Sequence, residues 1–575
     1  MIRRLHSFRA FIVSFLVLFL GFSIAVVLTA RSPVTGYELS MYGETPVVFW
    51  LGTMPLLVYG TAVAVLREDR FRWIGLVGAF LVISTIVLLP LVRGYFFYGE
   101  FDSMLHLGTV RDVVAGHRDP GTIFYPALHL LAASIVFLTD ISSRLALMSA
   151  ALVFPFVWFI GVPLVVKELT SNRNAIVIGL LGALFLAPLN PLNIILAPHP
   201  SSQAVLFGPI VLFAFLRLTK TASPRDIACF SLGFLALYLY HPQQSLNFLL
   251  IFVVLVYVSR KRFHTRFSDQ GFRRVPVPML FAGGVMIVIL LLSADRFAQV
   301  FGFVVRNLIA GTGAGGIEGR AGALEALDVN LPLLYLKIGL KNVILSVGIV
   351  IALAFWWRYR RTDQVPLLLI ATAPIFGFVV IFGAVGMFNQ LVRYIAVVAV
   401  LGTIVAVIGF LNYLEPSKRQ SLRSVLLVVL LCVGLVGAVP VIHVDPYSER
   451  PTHHVPESHY TAFETKFDHT SSDAQYLRIR SAPYRYFTAI HGSEAEIEAS
   501  LDQFLPPVPD HFEGLDEEYD SQYYLPVTER DVRADAELYH GFRYSHADFA
   551  RLDHDPEKVR LYDNDGVVFY TNSES

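Results

Sequence analysis

YFFYGEFDSMLHLGTVRDVVAGHRDPGTIFYPALHLL, residues 95–131, is the stretch on which the layout of the chain turns. It sets Glu100, Asp102, His106, Arg111 and Asp112 between long apolar segments. Its second half runs into an apolar segment, 123–139. If that segment crosses a membrane, every later loop changes side. It is short for a span, opens at Tyr125-Pro126 and carries His129, which suits a helix lying at the membrane interface.

The rest of the chain sets the context. Of its 575 residues, 55% are hydrophobic and 16% charged, with a mean hydropathy of +0.58. Soluble domains carry about 25% charged residues. A bilayer core of roughly 30 Å needs about 20 apolar residues per helix. Segments such as FIVSFLVLFLGFSIAVVLTA (11–30) and SVLLVVLLCVGLVGAVPVI (424–442) meet that length. The composition predicts a polytopic α-helical membrane protein. Thirteen spans are expected near 10–30, 46–66, 73–92, 145–166, 174–190, 202–218, 226–240, 243–258, 276–294, 332–356, 365–387, 394–412 and 423–442.

Charge supplies the orientation. With the N-terminus in the cytoplasm and 123–139 not counted as a span, the inner loops hold 23 Lys/Arg and the outer loops nine. Positive residues favour cytoplasmic loops, so this arrangement is expected and its reverse is not. The basic start MIRRLHSFRAF leads into a segment too long for a signal-peptide core and reads as an uncleaved anchor. From residue 444 onward there are 27 Asp/Glu and 11 Lys/Arg, a net of −16; the 34 basic and 18 acidic residues before it give +16. The break predicts three parts: two leading spans in 1–72, a membrane domain over 73–443 with the outer loop 93–144, and an acidic soluble domain over 444–575. An odd number of spans places that last domain outside the cytoplasm. Such an acid-rich, lysine-poor composition also fits a halophilic source. Its ending, KVRLYDNDGVVFYTN, reads as a β-hairpin turning at DNDG. AEIEASLDQFL reads as helix, so a small α/β fold is expected. Cys229 and Cys432 both sit in apolar runs, so no disulfide framework is available.

Residues able to do chemistry gather at the expected outer ends. Asp102 follows Glu100 by two and precedes His106 by four, so Asp102 and His106 share a helix face. A partly desolvated carboxylate beside an imidazole can act as a general base. The plainer role for Asp102 is the N-cap of a helix starting at Ser103; the two roles are compatible. Glu100 and Asp102 could also hold a divalent cation through oxygen ligands, although two carboxylates make a sparse ligand set. Arg111, Asp112, His117, Arg118 and Asp119 read as solvated or internally paired loop charges, unless one arginine grips a phosphate.

APHPSSQ and LYLYHPQQSLNF each put a His-Pro pair at an outer span end. His199, His241 and Gln244 can therefore face a cavity there, or the histidines can simply bond carbonyls freed by proline. MFNQLVRYIAVVAVLG places Arg393 and Tyr394 at the same level. Arg393 either snorkels to lipid headgroups or binds the phosphate of a lipid-linked substrate. The glycine-rich loop IAGTGAGGIEGRAGALEALD (309–328) has no phosphate-loop pattern. It reads as an outer loop that orders over substrate through Arg320, or as disorder. Lys337 and Lys341 begin the next span, where they can meet headgroups or an anionic ligand. The tail holds no metal cluster, cysteine nucleophile or serine-nucleophile elbow, and nothing in the chain points to nucleic acid.

These elements, in this order, resemble a known family. An acidic first outer loop, then FYPALHLLAASIVF, then SSRLALMSAALVFPFVWFIGVPLVVKEL is similar to the opening of the GT-C superfamily of membrane glycosyltransferases. LALYLYHPQQSLNFLLIF resembles that family's histidine-bearing span, and VRYIAVVAVLGTIVAVIGFL its Arg-Tyr-led span. GYELSMYGETP, DSMLHLG and the YDNDGVVFY ending resemble archaeal members. The likeness covers 73–443; Glu100-Phe101-Asp102 replaces the usual acidic pair, and Pro126-Ala127 the usual proline pair.

The resemblance implies transfer of a sugar from a polyprenyl (dolichyl) phosphate carrier to a glycan or protein acceptor at the outer face of the cell membrane. No cofactor is implied beyond the possible cation. By position, Asp102 would be the base, with Glu100 and His106 beside it. Arg393 would contact the carrier phosphate, and His241 would line the donor pocket, with His199, Gln244, Arg320 and Tyr394 as further substrate contacts. A nucleotide-sugar donor does not fit a site facing away from the cytoplasm. The competing readings are a transporter or flippase of lipid-linked glycans, which would need ionisable residues at mid-span, and a non-catalytic anchor for the acidic domain.

Overall fold

The computed structural model describes residues 2–170, 172–186, 196–261, 330–359, 364–384, 388–414, 420–470, 475–498 and 522–572, with isolated positions between 280 and 306 and between 504 and 519. Arg320 and the glycine-rich loop lie outside the described residues. In chain order the first helices are α1 (Ile2–Ala30), α2 (Met41–Glu44), α3 (Val47–Leu66), α4 (Phe71–Val87) and α5 (Leu89–Val92). A two-residue strand β1 (Phe97–Tyr98) leads into α6 (Asp102–Ala115) and α7 (Ala127–Thr139). Next come α8 (Ser143–Leu152), α9 (Phe154–Thr170), α10 (Ala175–Ala183), α11 (Pro200–Thr221), α12 (Pro224–Tyr240) and α13 (Pro242–Lys261). The membrane part ends with α14 (Leu331–Tyr359), α15 (Gln364–Ala384), α16 (Phe388–Tyr413) and α17 (Gln420–Ala438).

Among the described residues, eight helices are long and apolar enough to cross a membrane. They fall on eight of the thirteen expected spans: 10–30, 46–66, 145–166, 202–218, 332–356, 365–387, 394–412 and 423–442. The span at 143–170 is broken at Val153, where Pro155 removes a backbone donor and crowds the preceding turn. Of the other five, 73–92 forms α4 and the short α5, and 174–190 begins with the nine residues of α10. The segments 226–240 and 243–258 are α12 and α13, and 276–294 is described only at isolated positions. Helix α7 has 13 residues. At roughly 1.5 Å per residue it is about 20 Å long, too short for a bilayer core. Its Leu128, His129, Ala132 and Ala133 are buried, while Phe137 and Leu138 are exposed. A helix with one face packed and the other open fits an interfacial position.

The C-terminal region adds β2 (His454–Val455), α18 (Glu457–Asp468), β3 (Gln475–Arg478), α19 (Pro483–His491), α20 (Ser493–Glu498), β4 (Phe504–Pro507), β5 (Tyr523–Thr528), α21 (Glu529–Val532), α22 (His546–Leu552), β6 (Lys558–Asp563) and β7 (Val567–Asn572). Its five-stranded sheet has the order β4-β3-β5-β7-β6. β3 runs parallel to β4 and β5, while β7 runs antiparallel to both β5 and β6. The β6–β7 hairpin turns at Asn564-Asp565-Gly566, as its sequence predicts. The Asn564 carboxamide oxygen accepts from Gly566 N–H (3.2 Å) and Val567 N–H (3.0 Å).

This region does not stand apart from the membrane helices. β2 pairs with β1, joining Phe97 to Val455 and Tyr98 to His454. One buried apolar cluster runs unbroken from the membrane helices through Tyr95, Phe97 and Leu107 to Phe463, Tyr486 and Phe569. Where α6 crosses α19 the backbones touch at Gly108, whose absent side chain makes room for the Thr488 carbonyl. Asp112, 3% exposed, accepts from Ser493 N–H (2.6 Å), Ser493 hydroxyl (2.7 Å) and Glu494 N–H (3.0 Å). It thereby satisfies the free amides at the start of α20. Arg111 donates to Tyr460 (2.5 Å) and to the Ala489 carbonyl (2.9 Å), and Arg118 to Ser493 (2.6 Å). Arg111, Asp112 and Arg118 are therefore internally paired and tie the first outer loop to the C-terminal region.

Candidate active site

Glu100 and Asp102 flank a residue in an unusual conformation. Phe101 has φ 50° and ψ −113°. That pair lies outside the usual regions for a non-glycine residue. The twist there sends the two carboxylates apart. Glu100 turns inward, 7% exposed, and its Oε2 pairs with Arg530 Nη2 at 2.7 Å. Asp102 turns outward, its side chain 59% exposed, and its Oδ1 accepts from Arg485 Nη2 at 2.7 Å. Both arginines come from the C-terminal region. Burial pushes the Glu100 carboxyl up to about 7, against the opposing pull of Arg530, because a low-dielectric setting disfavours the charged form.

The helix starts at Asp102 itself, with Phe101 at the N-cap and no side-chain cap bond. The expected capping of a helix at Ser103 by Asp102 is thereby corrected: the strained Phe101 shifts the first turn back by one residue. Asp102 still lies where a helix dipole favours negative charge. Nor do Glu100 and Asp102 suit a shared cation. They point to different sides, each already holds an arginine, and no group of three potential ligands occurs among the described residues.

His106 lies one turn after Asp102 and is buried, and its Nδ1 meets His129 Nε2 at 3.0 Å. Its ring stands 6.2 Å from that of Tyr125, which stacks on His241 at 5.8 Å. His199 precedes α11. Its N–H donates to Gln203 Oε1 (3.0 Å), and its Nδ1 is held between the Ser201 (3.0 Å) and Ser202 (3.1 Å) hydroxyls. The SSQ of APHPSSQ thus orients this ring. Next to Asp102, Ser103 donates its hydroxyl to the carbonyl of Pro198, which precedes His199 (2.9 Å), while His241 stacks on Tyr125 and Arg393 reaches Gln243, two residues beyond His241. Segments near residues 102, 199, 241 and 393 therefore converge at one end of the helices.

Arg393 and Tyr394 open the apolar run of α16. Arg393 Nη1 approaches Gln243 Oε1 at 3.5 Å, and its buried Nε has no hydrogen-bond partner. Tyr394 stacks on Phe378 (5.1 Å) and Phe382 (5.3 Å). Gln243 thus reaches the Arg393 of this pair. The expected Gln244 is buried and accepts from Asn247 at 3.1 Å. Adjacent helical residues differ by about 100° in direction, and a QQ pair gives no sign of which one faces the site. Lys337 pairs with Glu449 at 3.6 Å, and Lys341 is 1% exposed.

The fold can be placed among known proteins. No protein-family model matches the sequence, and no curated protein matches it. Among solved structures, the oligosaccharyltransferase of Archaeoglobus fulgidus in its apo form is 12% identical, with a TM-score of 0.50 over 88% of this chain and 75% of that one. ArnT from Cupriavidus metallidurans bound to undecaprenyl phosphate is 12% identical, at 0.47 over 88% of this chain and 99% of that one. AglB from Archaeoglobus fulgidus in complex with an inhibitory peptide and a dolichol-phosphate is 11% identical, at 0.48 over 88% and 75%. The chain, with its bundle of membrane helices, packed first loop and C-terminal α/β region, therefore shares its overall fold with the Archaeoglobus fulgidus oligosaccharyltransferase.

Proposed function

We propose that the protein is a membrane glycosyltransferase that takes a sugar from a polyprenyl-phosphate carrier and passes it to a glycan or protein acceptor at the outer membrane face. The observation that carries this reading is the convergence of the segments bearing Asp102, His199, His241 and Arg393 at one end of the helices. It joins an exposed carboxylate to a cation on an apolar span, as an amphipathic lipid phosphate requires. The GT-C fold supports the reaction class by analogy only. The excess of basic residues in the opposite loops supports a cytoplasmic N-terminus and an outer site.

In this mechanism Arg485 holds Asp102 Oδ1, and Oδ2 takes the proton of the acceptor hydroxyl. The acceptor oxygen attacks the anomeric carbon from the side opposite the carrier. The bond from that carbon to the phosphate oxygen breaks, the configuration inverts, and the lipid phosphate leaves with its charge held by Arg393. His241 and Tyr125 line the donor side, and Gln243 fixes the direction of Arg393. The test is glycosyl transfer from candidate dolichyl-phosphate sugars by reconstituted protein, wild type against Asp102→Asn. Transfer is expected from the wild type, with turnover lower by roughly 100-fold or more in the variant, and equal turnover removes Asp102 as the base.

Lys341, buried inside a span, favours a second reading, since intramembrane ionisable groups often mark transport paths. Movement of labelled lipid-linked sugar across vesicles without transfer would select it.

A further inference from the structure

Beyond the Asp102 end of the site, a cavity of about 370 Å³ opens between the first outer loop and the C-terminal region. It falls within the range of small-molecule sites, about 300–1,000 Å³. Five arginines line it: Arg450, Arg478, Arg480, Arg530 and Arg543. No carboxylate does, among the described residues. Just behind the wall, Glu100 balances Arg530, and Asp535 holds Arg480 through two bonds of 2.6 Å.

A concave wall lined by one sign of charge focuses a field that draws in the opposite sign. The bonding pattern points the same way. Arg530 is 5% exposed, yet its Nε and Nη1 have no hydrogen-bond partner. The buried Nε of Arg478 and Nδ1 of His453 are also without one. Buried guanidinium donors left unmet in a cavity wall are costly, and a planar guanidinium fork matches an oxyanion. Phe101 also lines the cavity, with the Arg530 guanidinium 5.7 Å from its ring centre. Its strained backbone joins the cavity wall directly to Asp102, and strain of that kind clusters at working sites. The His453 carbonyl accepts from Gly99 N–H at 2.9 Å, and Gly99 lies against Pro198 beside His199, so the cavity adjoins the converging end already described.

We infer that this cavity is a binding subsite for an oxyanion carried on a sugar: the carboxylate of a sugar acid or a phosphate ester. It lies apart from Arg393 and is built from the C-terminal region, which would thereby select acidic substrates. Only the assignment of the sugar to a transferred or accepting glycan rests on the glycosyltransferase reading; the binding does not. The test measures saturable shifts in unfolding temperature of the purified full chain with glucuronate, inorganic phosphate and glucose, for wild type, Arg478→Gln, Arg478→Lys and Asp102→Asn. Glucuronate or phosphate, but not glucose, is expected to stabilise the wild type; the stronger of the two identifies a carboxylate or a phosphate as the natural group. Arg478→Gln should weaken the apparent affinity roughly 10- to 100-fold, and Arg478→Lys should recover part of it. Asp102→Asn should bind like wild type even where transfer is lost. No saturable shift with either anion, or an equal shift in Arg478→Gln, overturns the inference. Binding retained by a protein that transfers no sugar sinks the glycosyltransferase reading and leaves the subsite standing.

Discussion

Replacing Arg530 with methionine would leave Glu100 buried with no counter-charge. At an effective dielectric constant near 20, opposite charges about 4 Å apart attract by about 4 kcal/mol. Breaking a buried pair by removing one partner costs about 3–5 kcal/mol. Both groups are under a tenth exposed, so solvent screening offsets little of this. The pair spans the first outer loop and the C-terminal region, so the loss should appear as local opening of that junction. At pH 8, hydrogen exchange across β1, β2 and the start of α6 should quicken roughly 10²- to 10⁴-fold, since each change of about 1.36 kcal/mol is a factor of ten.

The effect should depend on pH. The folded-state carboxyl of Glu100 lies near 7, above its ordinary value of 4.5, so the folded chain holds this proton more tightly than the unfolded one. Its contribution is full below about 4.5 and is lost as pH rises through about 7, at most roughly 3 kcal/mol. Without Arg530 the carboxyl moves further up, so at pH 5 Glu100 is neutral in the variant and most of the penalty vanishes. Adding Glu100→Gln should restore stability at pH 8, with the double variant better than the summed single losses by about 2 kcal/mol or more. An exchange increase under tenfold at pH 8, the same loss at pH 5, or strictly additive single effects would refute the reasoning.

Other outcomes follow from the same geometry. Gly108→Ala puts a Cβ against the Thr488 carbonyl. Such overpacking should cost about 2 kcal/mol or more and speed proteolytic release of the C-terminal region. Asp112→Ala leaves three donors at the start of α20 unmet. It should lower stability by about 3 kcal/mol, read as faster exchange in Ser493–Glu498. Arg393→Gln should raise KM for a polyprenyl-phosphate sugar roughly 10- to 100-fold with a smaller change in kcat, in steady-state transfer assays. Phe101→Gly should relieve about 1 kcal/mol of backbone strain in thermal unfolding while weakening glucuronate or phosphate binding.

By itself the sequence determined the membrane character, most of the spans, the short helix at 127–139 and the C-terminal hairpin. Each depends on a local property: enough consecutive apolar residues, a proline and histidine in a short run, or an Asn-Asp-Gly turn. It also marked Asp102, His199, His241 and Arg393, because polar groups at the ends of apolar helices stand out against their surroundings. What those groups face was not local. Glu100 sits in the first outer loop and Arg530 near the C-terminal end of the chain, and nothing in either segment names the other. The arginine cavity draws on positions 101, 450, 478, 480, 530 and 543, where each arginine alone looks like an ordinary surface charge. Which of Gln243 and Gln244 approaches Arg393 depended on the rotation of α13 against α16, which packing of whole helices sets. The tertiary structure therefore decided the electrostatics of the site, because charge pairing depends on distance in space.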